Sequence, residues 1–174
     1  METCQLSSAQ EVPHSTVGWK VMATIFWDCK GVLLVDYIPQ KTIMTRPYYG
    51  EVLTNLRRAV KGKRREILTR GPLLLHVNAP ALMSQVSQAI VKDIGFEQLS
   101  RPPYSPDLTP SDFYLFRHLK QHLRGTRFFD DDELWQPMES YLDNMPQEFY
   151  LTGIKELFDK CEKCIDVQGD YIET

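Results

Sequence analysis

Residues Lys20–Ile38 read KVMATIFWDCKGVLLVDYI. Two runs rich in β-branched and aromatic residues, Lys20–Asp28 and Val32–Ile38, flank Cys29-Lys30-Gly31. Such runs favour extended backbone, and a short glycine-bearing link between them predicts a β-hairpin. Pro39 ends it. Downstream, Tyr49, Val52, Leu53, Leu56 and Val60 recur at helical spacing, which predicts a helix over Arg46–Lys61. Gly71-Pro72 breaks the chain before Leu73–Val77 (LLLHV), a continuous apolar run of the kind found in strands buried on both faces. Pro80–Ile94 reads as a helix, with Met83, Val86, Ile90 and Ile94 inward and Gly95 as its C-cap, and Phe96–Leu99 as a short strand. The alternation predicts an α/β fold in which helices flank a mixed sheet, with parallel strands in the β-α-β-α-β part.

Arg101–Pro110 (RPPYSPDLTP) is too proline-rich for a helix or a central strand. Ser111 then stands as the N-cap of a helix Asp112–Leu123 that Gly125 closes, and Asp107 is expected to hydrogen-bond within the Ser105–Pro110 turn. Two further helices are expected, Asp131–Leu142 and Pro146–Ile165. In the second, Tyr150, Ile154, Leu157, Phe158, Cys161 and Ile165 fall in register. Upstream, residues 1–18 are polar and aperiodic and read as a disordered lead-in to one domain over residues 19–174.

The length of 174 residues suits a single core, and 43% hydrophobic with 25% charged residues excludes a disordered or collagenous chain. No apolar run is long enough to span a bilayer. Met1–Gly18 lacks the cationic start and apolar stretch of a secretory signal, so an intracellular chain with thiols rather than disulfides is expected. The net charge of −3 hides an asymmetry. Residues 130–174 carry 13 acids and 3 lysines, whereas residues 1–129 carry 17 cations and 10 acids. The cations concentrate in Arg57, Arg58, Lys61, Lys63, Arg64, Arg65 and Arg70, against the single acid Glu66. Such a cluster suits phosphate tracking; it equally suits a helix C-terminus, where cations complement the dipole.

Other chemistry is sparse. The phosphate-cradling GxGxxG and GxxxxGK[ST] patterns and the GxSxG elbow are absent. Cys161-x-x-Cys164 has no second ligand pair at zinc-finger spacing and reads as helix packing. His118 and His122 stand one helical turn apart without an HExxH context, and read as helix-surface histidines.

The segment Pro102-Pro103-Tyr104-Ser105-Pro106-Asp107-Leu108, Pro110-Ser111-Asp112 and Leu115-Phe116 resembles the signature that ends the catalytic core of mariner-family DNA transposases. Val21–Thr24 with Phe26-Trp27-Asp28, Leu75-His76 with Asn78-Ala79, Glu148–Tyr150 with Gly153-Ile154, and Gly169–Ile172 extend the likeness over residues 19–173. The resemblance implies an RNase H-like fold, nuclear location, DNA as partner, and two Mg2+ or Mn2+ ions held by three carboxylates. Hard cations want charged oxygens, and a metal pair activates the attacking oxygen and stabilises the leaving one.

By that resemblance the third carboxylate is Asp112. The second position holds Val77, which has no donor atom. The first belongs to a central strand upstream of Lys20–Asp28, expected to be missing here, as is the family's helix-turn-helix region. With two of three ligands gone, the expected protein binds DNA weakly and without sequence preference through the Arg57–Arg70 cations, and does not cut or join it. The missing strand is further expected to leave sheet edges open to a second copy, or to an intact relative. Alternatives are a protein-interaction module using the acidic tail, an active transposase whose true start lies upstream, and a non-functional remnant. The patch Lys61–Arg65 also fits a nuclear-import signal.

Overall fold

The structure, a computed structural model, describes residues 5–13, 20–38, 44–75, 85–99, 105–126, 128 and 131–168. The expected hairpin is present: β2 (Lys20–Asp28) and β3 (Gly31–Ile38) pair antiparallel around Cys29-Lys30. The ladder runs Phe26↔Leu34 and then Trp27↔Val32, so Leu33 is the extra residue of a β-bulge. Leu33 and Leu34 both join the core on one face of the sheet, while Val32 and Val35 pack on the other.

The first correction concerns the start of the chain. Gln5–Pro13 is not a disordered lead-in; it forms β1, antiparallel to β2 with Pro13 opposite Lys20 and Gln5 opposite Trp27. The expected gap beside β2 is therefore closed, and the strand order is β1-β2-β3 with β1 also against β4 (Leu73–Leu74). Polar composition argues against a strand only where pairing is optional. Here β2, paired with β3 on one edge, presents on its other edge backbone donors and acceptors that another strand satisfies. The case for self-association through an open edge at that place goes with the gap.

β4 pairs in parallel with β5 (Glu97–Gln98), as the crossover rule predicts. α1 (Arg46–Lys63) and α2 (Arg65–Arg70) lie between β3 and β4, whereas α3 (Gln85–Asp93) lies in the connection between β4 and β5. The Thr45 hydroxyl caps α1 by accepting from the Tyr48 amide. The chain then runs through a 3-10 turn (Pro106–Leu108) into α4 (Phe116–Leu123), α5 (Asp131–Asn144) and α6 (Gln147–Asp166).

Two cores result. Phe26 and Leu33 meet Tyr49, Val52, Leu53, Leu56 and Val60 of α1, with Ile67, Val91 and Phe96. On the opposite face Ala23, Ile25 and Trp27 meet Leu115, Phe116 and Leu119, with Met138, Leu142, Tyr150 and Ile154. Helices thus cover both faces of the sheet. The register expected for α6 holds at Tyr150, Ile154 and Leu157, which are buried, but Phe158 and Ile165 are 52% and 75% exposed. The periodicity continues where the helix has outrun the layer it packs on. Met83 and Val86 lie outside the described side chains; Ile94 is buried and Ile90 half-buried.

Candidate functional site

Asp112 sits where Ser111–Leu115 forms a single π-helical turn ahead of α4. The amides of Asp112 and Phe113 both donate to the Thr109 carbonyl, at 2.8 and 3.0 Å. Wider turns of this kind are rare and recur at functional positions. Ser111 is not the expected N-cap: its buried hydroxyl instead accepts from Trp27 Nε1 at 3.0 Å, tying the turn to the centre of β2. A buried indole N–H needs an acceptor, and that requirement outweighs a local cap. Asp107 does not make the expected turn bonds, since its Oδ1 is buried without a partner. Backbone bonds from Leu108 to Ser105 and from Thr109 to Pro106 close the turn, with the Thr109 hydroxyl donating to the Ser105 carbonyl at 3.2 Å.

α6 backs this turn through Gly153. A Cβ at that position would stand 2.6 Å from Tyr114 Cδ1 and 3.0 Å from Trp27 Cη2. His118 Nδ1 lies 2.8 Å from the Tyr114 carbonyl, and its ring packs on Tyr114 and Phe149. His122 stacks on Tyr141 with centroids 4.4 Å apart. Both histidines pack on aromatic rings; His122 is exposed, as a helix-surface reading expects, whereas His118 is half-buried. Cys29, Cys161 and Cys164 are not in disulfides; burial, and then the neighbouring Cys164, push the Cys161 thiol above its ordinary value. Among the described residues no three His, Cys, Asp or Glu side chains converge as metal ligands. Val77, His76, Asn78, Ala79 and Leu82 lie outside the described residues.

The seven cations of the basic stretch divide into different environments. Arg58, Lys61 and Arg65 are exposed, and Arg58 Nη1 donates to Asn55 Oδ1 at 3.1 Å. Arg57 Nη1 reaches the Asp93 carbonyl at the end of α3 (3.2 Å), and Lys63 Nζ reaches the Val32 carbonyl of β3 (3.3 Å). Arg70 is exposed and makes contacts of its own. Arg64 differs in kind. Its Nε lies 3.1 Å from Oδ2 of Asp28, whose side chain is 2% exposed. Arg64 thus differs from the other cations of the stretch in making an ion pair to a buried carboxylate. No local pattern reveals that partner, because Asp28 lies 36 residues away.

The comparisons with known proteins fit this arrangement. A family model described as "Transposase (partial DDE domain)" matches residues 5–70, so the match includes β1. The Mos1 mariner transposase of Drosophila mauritiana is 31% identical over 158 residues, covering 90% of this chain and 46% of the relative. Human histone-lysine N-methyltransferase SETMAR is 30% identical over 155 residues, covering 88% of this chain and 23% of the relative. The Mos1 catalytic domain, solved with raltegravir and Mg, superposes with a TM-score of 0.89 at 30% identity, over 97% of this chain and 85% of that one.

The chain belongs to the mariner transposase family. Its fold is RNase H-like, as the resemblance implied, and the chain spans less than half the length of these two curated relatives. The Mos1 catalytic domain has also been solved with Mn. A Mos1 paired-end complex with a left transposon end superposes with a TM-score of 0.85 at 31% identity, over 91% of this chain and 46% of that one. The mariner signature Ser105–Phe116 maps onto the 3-10 and π turns, and Trp27 of β2 is its hydrogen-bonding partner.

Proposed function

We propose that this mariner-family chain is a partial RNase H-like catalytic domain that binds DNA weakly and without sequence preference, in the nucleus, and does not cleave or join it. The observation that carries the binding half is the run of exposed cations on α1 and α2, with Arg58, Lys61 and Arg65 facing solvent. Each phosphate so neutralised releases counterions and adds about 0.9 to the salt slope of binding. Arg57, Lys63 and Arg70 flank them.

The donor set supports the second half. Asp112 is the one family carboxylate retained, and Val77, in the second position, offers a metal nothing. β1 contributes a single carboxylate, Glu11, whose ladder position is opposite Met22. These residues do not fit the two-ion site that Mg or Mn occupancy in a mariner catalytic domain requires, so no step of catalysis is routed through metal here.

Two assays test the proposal. Anisotropy of a labelled 20-bp duplex should show affinity falling steeply with salt, and falling further when Arg58, Lys61 and Arg65 are changed to Gln. Binding that ignores salt would sink the binding half. Supercoiled DNA incubated with Mg2+ or Mn2+ should stay intact. Nicking by the pure protein that vanishes in Asp112→Ala would sink the inactive half.

A further inference from the structure

We infer that Asp28 is a positioning residue for the DNA-facing cations, and that Arg64 acts as its clamp rather than as a phosphate contact. The inference rests on the DNA-binding reading above. α1 and α2 do not form one helix. Between them Arg64 leaves helical geometry, with φ −144° and ψ 51°, and no side-chain bond caps α2. The break is held from the sheet. The Asp28 carboxylate accepts the Arg64 guanidinium on Oδ2 and the Lys30 amide on Oδ1 (2.8 Å), while Lys30 Nζ reaches Glu66 of α2 at 3.2 Å. The β2–β3 turn is thereby fastened to the break itself and to the first turn of α2. Arg64 also donates its own amide to Val60 and accepts from the Ile67 amide, so its position sets the end of α1 and the start of α2.

Lys61, Lys63 and Arg65 lie within three residues of that point. Their placement relative to one another follows from that junction, and α2, with six residues, is too short to hold its own geometry. A buried carboxylate facing a guanidinium fixes both groups, since either left alone keeps an uncompensated charge.

The test exploits an opposition of signs. Asp28→Asn makes the protein more cationic, so charge alone predicts tighter binding to the duplex. Loss of positioning predicts weaker binding, by about three- to tenfold near 0.1 M salt if the equivalent of one phosphate contact is lost. Asp28→Glu restores the charge and should recover part of the affinity, and Arg64→Lys should retain more binding than Arg64→Gln. Urea unfolding of each variant gives the folded fraction to which affinities are referred.

Hydrogen exchange reads the ordering without DNA: the Ile67 amide should exchange faster in Asp28→Asn while amides in mid-α1 keep their protection. Binding by Asp28→Asn that is unchanged or tighter, or unchanged exchange at Ile67, overturns the inference. If the unaltered chain shows no salt-dependent binding, the DNA reading fails and the inference falls with it. Normal binding by the unaltered chain with an indifferent Asp28→Asn sinks the inference alone.

Discussion

At the scale of single residues, Asp36 and Tyr48 form a half-buried pair whose two pKa shifts act in different pH ranges. Tyr48 Oη donates to Asp36 Oδ2 at 2.7 Å. Burial raises the Asp36 carboxyl above its ordinary value, and the Tyr48 bond only partly offsets this. The folded state therefore holds that proton more tightly than the unfolded chain, and stability from this group falls as pH rises from about 4. Asp36→Asn can keep the hydrogen bond without the charge. The expected outcome is a urea midpoint above wild type at pH 7, with the gap closing toward pH 3.5.

Tyr48 itself is pushed up to about 12, by burial first and then by the Asp36 hydrogen bond and charge. Its contribution is complete below the ordinary phenol value of about 10 and is lost as pH climbs through 12. Burial also raises Tyr37, Tyr49 and Tyr150, so Tyr48→Phe should remove only part of the alkaline loss of stability. A pH series of unfolding midpoints from 9 to 12 measures that share. Residue-scale roles were the least legible part of the sequence. Arg64 reads as one more cation and Ser111 as one more helix cap, because Asp28 and Trp27, which decide them, lie 36 and 84 residues away.

At the scale of elements, α6 and the π turn meet at a place where helix propensity gives the wrong sign. Glycine inside a helix ordinarily costs about 1 kcal/mol against alanine. At Gly153 an added methyl meets the Tyr114 and Trp27 rings at 2.6 and 3.0 Å, against the turn that carries Asp112. Gly153→Ala should therefore destabilise, by about 1–3 kcal/mol as for other overpacked sites, with altered near-UV dichroism from Trp27. An unchanged or raised urea midpoint would mean that the rings move aside.

Helix and hairpin elements were legible because their patterns are local. Tyr49 to Val60 keep one buried face through three turns, and Lys20–Ile38 holds its own turn. β1 was not legible: QLSSAQEVP has no strand pattern, and it pairs because β2 offers an edge that β3 does not fill. Within the mariner signature, the proline-rich approach stood out by composition, and Asp112 only through the family resemblance. The π geometry did not, and the Trp27 bond that ties it to β2 joins residues 84 apart in sequence.

At the scale of the whole molecule, the two helix layers differ in charge as well as in sequence position. The cation-rich α1 and α2 pack on one face of the sheet, while α5 and α6, from the acidic end of the chain, pack on the other. Such a polarity turns one face toward a polyanion and the other away from it. The arrangement depends on the β1-β2-β3 sheet serving both layers, with β2 held between β1 and β3. Deleting residues 5–13 should expose the inner edge of β2 and loosen both cores together. This can be read from two directions. Trp27 and Trp135 both pack in the α4–α6 layer, so with Trp19 changed to Phe the fluorescence reports that layer, whereas far-UV dichroism reports helices of both.

In the intact chain the two urea transitions should coincide, as for a single cooperative unit. Leu53→Ala, a cavity in the α1 layer where the side chain is fully buried, should cost about 2–5 kcal/mol and shift the tryptophan transition as much as the dichroism. A tryptophan midpoint that stays in place while the dichroism midpoint falls would mean that the layers unfold separately. The basic face would then be able to melt while the mariner signature, packed in the other layer, stays folded.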